Sequence, residues 1–141
     1  MNSYTFSVLF VVFLSVTVSL QFWLSSRQLR HVAKHRAAVP AEFAEQISLE
    51  AHQKAADYTI AKTRFGLISL FVSVLVLLGF TLFGGLQLLA ATLFQWLGDG
   101  MIYQLSLLVA FVLISGAIDL PFDLYRQFVL EEKFGFNKMT Y

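Results

Sequence analysis

Cysteine is absent from this chain, so neither a disulfide nor a thiolate-held metal is open to it. Only two prolines interrupt its 141 residues, and 13% of those residues are charged. A soluble domain of this length needs far more polar side chains to cover its surface, which excludes that class. There is no glycine-rich phosphate loop, and the basic residues fall in no nucleic-acid motif, so nucleotide and nucleic-acid binding are set aside. His-Glu-x-x-His is also missing. The serines of the apolar runs (Ser15, Ser19, Ser69, Ser73, Ser106, Ser115) have no His or Lys base at useful spacing. No hydrolytic centre can be assembled from these residues alone.

What is present is hydrophobic: 57% of the residues, with a mean hydropathy of +0.69. Three uncharged runs can cross a bilayer. Residues 4–24 make a helix of about 31 Å, matching a hydrocarbon core of roughly 30 Å. The run from Phe65 to Gly98 is longer than one crossing needs, and the second span is placed at 65–84, where Gly84-Gly85 allows an end or a kink. The third span is 101–118. Every amide in lipid must be satisfied within its own segment, so helices are expected throughout. The expected fold is all-α: a multi-pass membrane protein with three transmembrane helices and additional cytoplasmic amphipathic helices.

Met1-Asn2-Ser3 carries no Lys or Arg, whereas Arg27, Arg30, Lys34 and Arg36 follow the first span closely. That is a signal-anchor pattern rather than a cleaved leader. Three spans place residues 25–64 and 119–141 on one side of the membrane. Seven Lys/Arg lie in the first of these segments and three in the second, which is the whole complement of ten. The positive-inside rule then puts both segments in the cytoplasm and the amino terminus outside. Tyr4, Phe22, Trp23, Trp96, Tyr103 and Tyr125 suit interfacial anchoring. Short loops point to a bacterial inner membrane.

The segments between spans carry weaker signals. Residues 40–64 predict a cytoplasmic helix begun by Pro40, with Glu42 and Glu45 early and Lys62 and Arg64 late, as the helix dipole favours. It either runs straight into the second span or lies on the membrane surface. On residues 86–97, Gln87, Ala91, Gln95 and Asp99 recur every four positions, giving one polar stripe. That stripe fits an outer interface or, alternatively, an extension of the second helix facing a wet cavity. Residues 121–134 predict a further helix started by Pro121 and closed by a left-handed Gly135.

Three groups could suggest chemistry. His31 and His35 share a helical face, but Val32 stands where a zinc protease has its glutamate, and Arg30, Lys34 and Arg36 oppose a divalent cation. A basic patch meeting anionic lipid heads is the simpler reading. Glu131 and Glu132 are adjacent, so on a helix they point about 100° apart and do not converge on one bond. Asp119 and Asp123 flank Pro121 at a span end, where capping and interface solvation account for them. No catalytic or metal-binding residue is assigned to this chain.

Two segments have a specificity that hydrophobicity does not demand. One is LPFDLYRQFVLEEKFGFNKMT, with Pro121, Phe122, Tyr125, Phe128, Val129, Glu131, Glu132, Lys133, Gly135, Phe136, Asn137 and Thr140. The other is HQKAADYTIAKTRFGL, with Ala55, Tyr58, Lys62 and Phe65. Together they resemble the amino-terminal membrane domain of the type I CAAX prenyl endopeptidases, a family of integral-membrane zinc metallopeptidases. The resemblance implies a multi-helix protein that encloses a chamber and cleaves peptides, prenylated CAAX termini among them, on zinc held by later residues. Tyr58, Lys62, Phe65, Pro121, Glu131, Glu132, Gly135, Phe136 and Asn137 are then family-motif positions without an assigned role.

On that resemblance the chain is a non-catalytic front portion of such an enzyme. Zinc is expected only in the full-length parent, and the partners are the bilayer, the remaining catalytic portion and a peptide or prenylated-peptide substrate. The stop at Met139-Thr140-Tyr141 favours a truncated chain. The alternative is a separately encoded, non-catalytic membrane scaffold or partner protein; a small transporter-like or lipid-interacting protein is a weaker third. With this topology, a cysteine introduced at Ala38 is expected to resist a membrane-impermeant thiol reagent added outside intact cells, and to react once the membrane is opened. Labelling in intact cells would reverse the orientation.

Overall fold

The computed structural model describes residues 2–136, and all regular structure among them is helical. Four α-helices follow one another: α1, Ser3–His35; α2, Leu49–Thr81; α3, Gly85–Leu97; and α4, Met101–Leu124. A π-helical segment, Tyr125–Glu131, continues directly from α4. Three helices are long and apolar enough to cross a membrane, whereas the 13-residue α3 is too short. Only Ala56 and Leu130 are buried among the described residues, while Phe13, Phe71, Phe83, Trp96 and Leu113 are largely exposed. Such surface suits hydrocarbon rather than water.

The chain divides into two compact units, Met1–Ile68 with Arg126–Tyr141, and Ser69–Tyr125. In the first unit, α1 runs on well past the expected span end at Leu24, because nothing in SSRQLRHVAKH breaks a helix. Its last turn is satisfied by side chains: His35 Nδ1 donates to the His31 carbonyl at 2.8 Å, and His52 Nε2 to the His35 carbonyl at 3.0 Å.

The helix expected from Pro40 starts later. Residues Ala41–Phe43 form one 3₁₀ turn behind Pro40, and the regular helix begins at Leu49. Ser48 supplies the physical reason, for its Oγ accepts the Ala51 amide at 3.2 Å while its carbonyl accepts that of His52. This serine cap satisfies an amide that Pro40 has no side chain to reach. From Leu49 the helix continues without interruption through Arg64 to Thr81, so the amphipathic stretch and the second apolar run share one continuous helix.

In the second unit, α2 ends at Thr81, three residues before the sequence expectation of 84. The Phe83 amide reaches back to the Leu78 carbonyl at 3.1 Å, and Gly84 takes a left-handed φ of 81°. Gly85 then sits so close to the end of α2 that a Cβ there would stand 2.8 Å from the Gly79 carbonyl oxygen. Thus residues 86–97 form a separate helix rather than an extension of α2, with Gln87, Ala91 and Gln95 exposed. Gly98 and Gly100, both at positive φ, turn the chain into α4. Across that turn Phe94 meets Tyr103 edge to face at 5.6 Å, and Phe80 of α2 meets Phe111 of α4 at 5.3 Å. Edge-to-face pairs add about 0.5–1.5 kcal/mol each beyond the area they bury.

Pro121 does not begin a helix as expected; it lies inside α4. Proline removes one amide and crowds the carbonyl four residues earlier, here Ala117, yet α4 continues through it to Leu124. Beyond it, the Tyr125 amide bonds the carbonyls of Pro121 and Phe122, and the coil loosens into the π segment. The expected helix 121–134 is therefore the end of α4 plus this wider coil.

The first unit is fastened by Arg36, just past α1, and Asp57 of α2. Arg36 Nε and Nη2 donate to the two carboxylate oxygens at 2.6 and 2.8 Å, in fork-to-fork geometry. The bond from Arg36 holds the Asp57 carboxyl below its ordinary value, and the bond from Asp57 raises the Arg36 guanidinium further. A depressed carboxylate contributes stability above its unfolded value and loses it as pH falls through the folded one. Arg36 stays protonated at every accessible pH, so the pair is lost only when the Asp57 carboxylate protonates. The unfolding midpoint of the wild-type chain should exceed that of Asp57→Asn by a constant margin from pH 7 to pH 5. That margin should shrink as the pH drops below about 3.9, read by thermal unfolding in detergent; a margin independent of pH would refute the clasp.

Candidate functional site

The motif positions on α2 lie on one helical face, since Tyr58, Lys62 and Phe65 are spaced i, i+4, i+7. The turn after the π segment meets that face. Phe136 stacks at a tilt on Tyr58 with ring centroids 4.7 Å apart, and Phe134 meets the same ring at 5.6 Å, nearer to edge-on. Lys62 Nζ lies 5.5 Å from the centre of Tyr58, and Lys133 Nζ 5.9 Å from that of Phe134. One half-buried tyrosine is thus flanked by two phenylalanines and capped by an ammonium, combining ring packing with cation–π attraction.

The turn that delivers Phe136 is closed by its own backbone. The Phe136 amide bonds the Glu131 carbonyl and the Gly135 amide the Glu132 carbonyl, both at 2.9 Å. With Gly135 at φ 71°, this is the Schellman arrangement, with glycine at the left-handed position. Glu131 and Glu132 therefore serve here through their main-chain oxygens, whatever their carboxylates do. A Cβ on Gly135 would stand 3.2 Å from Lys54 Nζ, so the third lysine of this face also arrives at the turn.

Of the nine motif positions, Tyr58, Lys62, Gly135 and Phe136 come together, and Glu131 and Glu132 cap the turn. Phe65 lies one turn beyond Lys62 on α2. Pro121 belongs to the other unit, within α4, and Asn137, like Thr140, lies outside the described residues. Phe134 and the Arg36–Asp57 clasp went unread in the sequence. Lys54 precedes Tyr58 by four residues and was legible as a facial neighbour. Arg36 and Asp57 are 21 positions apart, with no periodic signal to join them.

The second unit holds a crevice of about 260 Å³ between α2, α3 and α4. Its wall is largely apolar, with Phe80, Phe111 and Leu86, while Ser73, Ser115 and Asp119 supply polar groups. Asp119 thus opens onto a cleft rather than simply ending a helix. No group of three or more His, Cys, Asp or Glu side chains converges among the described residues. His35 turns Nδ1 to its own helix and stacks against His31 at 4.3 Å. The residues described do not form a zinc site.

Residues 28–141 match the family model described as CAAX prenyl protease N-terminal, five membrane helices. The chain belongs to this family. Within the CAAX prenyl protease family, it is 34% identical over 139 residues to a CAAX prenyl protease 1 homolog of Caenorhabditis elegans, covering 95% of this chain and 30% of the relative. It is 33% identical over 142 residues to the CAAX prenyl protease 1 homolog of Homo sapiens, covering 92% and 29%. Among solved structures, the crystal structure of S. mikatae Ste24p superposes with a TM-score of 0.79 at 28% identity, over 92% of this chain and 31% of that one. The chain thus spans about three tenths of the length of these relatives.

The ring cluster makes a graded prediction. Tyr58→Phe keeps both ring contacts and should leave the unfolding midpoint in detergent nearly unchanged, whereas Tyr58→Ala should destabilise by about 1–3 kcal/mol. Equal losses in the two variants would assign the effect to the hydroxyl and not to the rings.

Proposed function

We propose that this chain is the amino-terminal membrane portion of a zinc metalloendopeptidase of the CAAX prenyl protease kind. It forms part of the helical wall of a chamber and is inert by itself. The observation that carries this reading is the family match over residues 28–141, joined by the superposition on Ste24p. The exposed apolar flanks of α1 and α4 suit a wall that meets lipid and neighbouring helices. The crevice with Ser73, Ser115 and Asp119 offers a polar inner lining.

Zinc, when bound, would supply the Lewis acid and the activated water, and its ligands must come from residues other than those described. The contribution of this chain is positional. Tyr58, Lys62, Gly135 and Phe136 fasten the end of the wall that follows the spans, with Glu131 and Glu132 capping the turn and Phe65 one turn further along α2. Pro121 lies within α4, and Asn137 continues the same motif in the sequence. The partners of this reading are the catalytic portion of the same protein and a peptide or prenylated-peptide substrate.

The reading keeps the spans at 4–24 and 101–118 and ends the second, begun at 65, with α2 at Thr81; residues 40–64 and 121–134 are in the cytoplasm and the amino terminus outside. The support is that all ten Lys/Arg fall on one side. The short loops support a bacterial inner membrane as the compartment.

The test is made in native membranes with an antibody to residues 25–64. A polypeptide about three times 15.9 kDa is expected, since relatives are matched over some 30% of their length. Immunopurified, it should cleave a prenylated CAAX peptide and lose that activity to a zinc chelator. A product of 15.9 kDa without cleavage would replace this reading with a stand-alone scaffold.

A further inference from the structure

The basic face of α1 plays no part in the clasp, the ring cluster or the crevice. Where α1 leaves the first apolar run, the residues turned toward the interior of its unit are Ser25, Ser26, Leu29, Val32 and Arg36, each only partly exposed. Arg36 is the one cation of this stretch drawn inward, by Asp57. Arg27, Arg30, His31 and Lys34 are all exposed, and their spacing of i, i+3, i+4, i+7 places them on one face. Trp23, one turn earlier, belongs to the same face, and the Arg27 guanidinium lies 5.7 Å from its ring centre. No Asp or Glu occurs before Glu42, so α1 carries no carboxylate of its own to neutralise this charge.

Depth matters as much as sign. Leu24 is the last apolar residue before the first charge, and at 1.5 Å per residue Arg27, Arg30 and Lys34 follow it by about 5, 9 and 15 Å. The headgroup region adds roughly 5–8 Å on each side of the hydrocarbon, and long basic side chains reach several ångströms back toward it. α1 is unbroken through this zone, so the three cations are held in fixed angular relation rather than on a floppy tether. Leu24, Arg27, Gln28 and His31 border one shallow depression, an apolar floor beside guanidinium, amide and imidazole donors.

We propose that this face is a binding site for the headgroup of an anionic phospholipid. The phosphate is taken by Arg27 and Arg30, Lys34 adds long-range attraction, and Trp23 lies against the upper acyl chain. Charge complementarity and the register of the face with the headgroup layer select this occupant over an apolar one. The site is independent of which way the chain crosses the membrane, because it stays at the same depth in either leaflet.

Trp23 makes the site observable. The chain has two tryptophans, so Trp96→Phe leaves Trp23 as the sole indole reporter. The full chain carrying that change is reconstituted in phosphatidylcholine vesicles containing a tenth of brominated lipid, either phosphatidylglycerol or phosphatidylcholine. Brominated phosphatidylglycerol is expected to compete for the Trp23 site at least about fivefold better than brominated phosphatidylcholine, the scale set by one basic residue at an anionic surface. The preference should fall toward unity at about 1 M salt, where the screening length is near 3 Å. It should also be lost in Arg27→Gln/Arg30→Gln/Lys34→Gln and retained in the charge-conserving Arg27→Lys/Arg30→Lys. Equal quenching by the two lipids at low salt would overturn the site, as would a preference that survives both salt and the neutralised face. The salt series leaves the basic face unaltered, so it tests the site even if the triple variant fails to insert.

Discussion

A peptide group in hydrocarbon has no water to bond, and leaving its amide or carbonyl unpaired costs several kcal/mol. That penalty governs the form of this chain more than any individual side-chain contact. It makes each apolar run a helix, keeps α4 helical across Pro121, and confines irregular backbone to a few short places. Those places are the segment between α1 and α2 and the turns at Gly84, Gly98–Gly100 and Gly135. At each of these glycine turns, a positive φ ends or redirects a helix at little steric cost. The side chains then only need to decide which helix ends meet.

They do so by different means in the two units. Among Ser69–Tyr125 the joints are apolar and aromatic, Phe80 with Phe111 and Phe94 with Tyr103, as suits groups that have no water to lose. In the unit that contains the hydrophilic ends of α1 and α2, the joints are polar or mixed: the Arg36–Asp57 fork, the His52 bond to the His35 carbonyl, and Tyr58 between two rings and an ammonium. Hydrophobic burial drives association where water competes, whereas in lipid shape and van der Waals contact take over. One sequence carries both modes, divided along its length by composition.

That division explains what the residues revealed beforehand. The apolar runs stood out because lipid imposes composition over about twenty consecutive residues, a signal no local preference can mask. Gly135 was legible as a left-handed cap because it follows the basic last turn of a helical pattern. The start of α2 was not. Pro40 and Ser48 both offer helix beginnings, and the choice went to the residue whose hydroxyl actually reaches an orphan amide. Pro121 misled in the opposite sense, since the rule that proline opens or ends helices weakens where unravelling would expose backbone to lipid. Of the candidate site, the i, i+4, i+7 face on α2 was readable from spacing alone. Its partners depend on a contact between segments some 75 positions apart in the sequence, which no window along the chain can contain.

The π-helical stretch Tyr125–Glu131 also alters angular phase. A coil whose amides reach back five residues advances each side chain by about 80–85° instead of 100°. Over seven residues that deficit comes to roughly a third of a turn. A wheel drawn at 100° per residue therefore misassigns the faces of Arg126 through Glu131. The loosened coil works as a rotary offset within its own segment, ahead of the turn that carries Phe134 and Phe136.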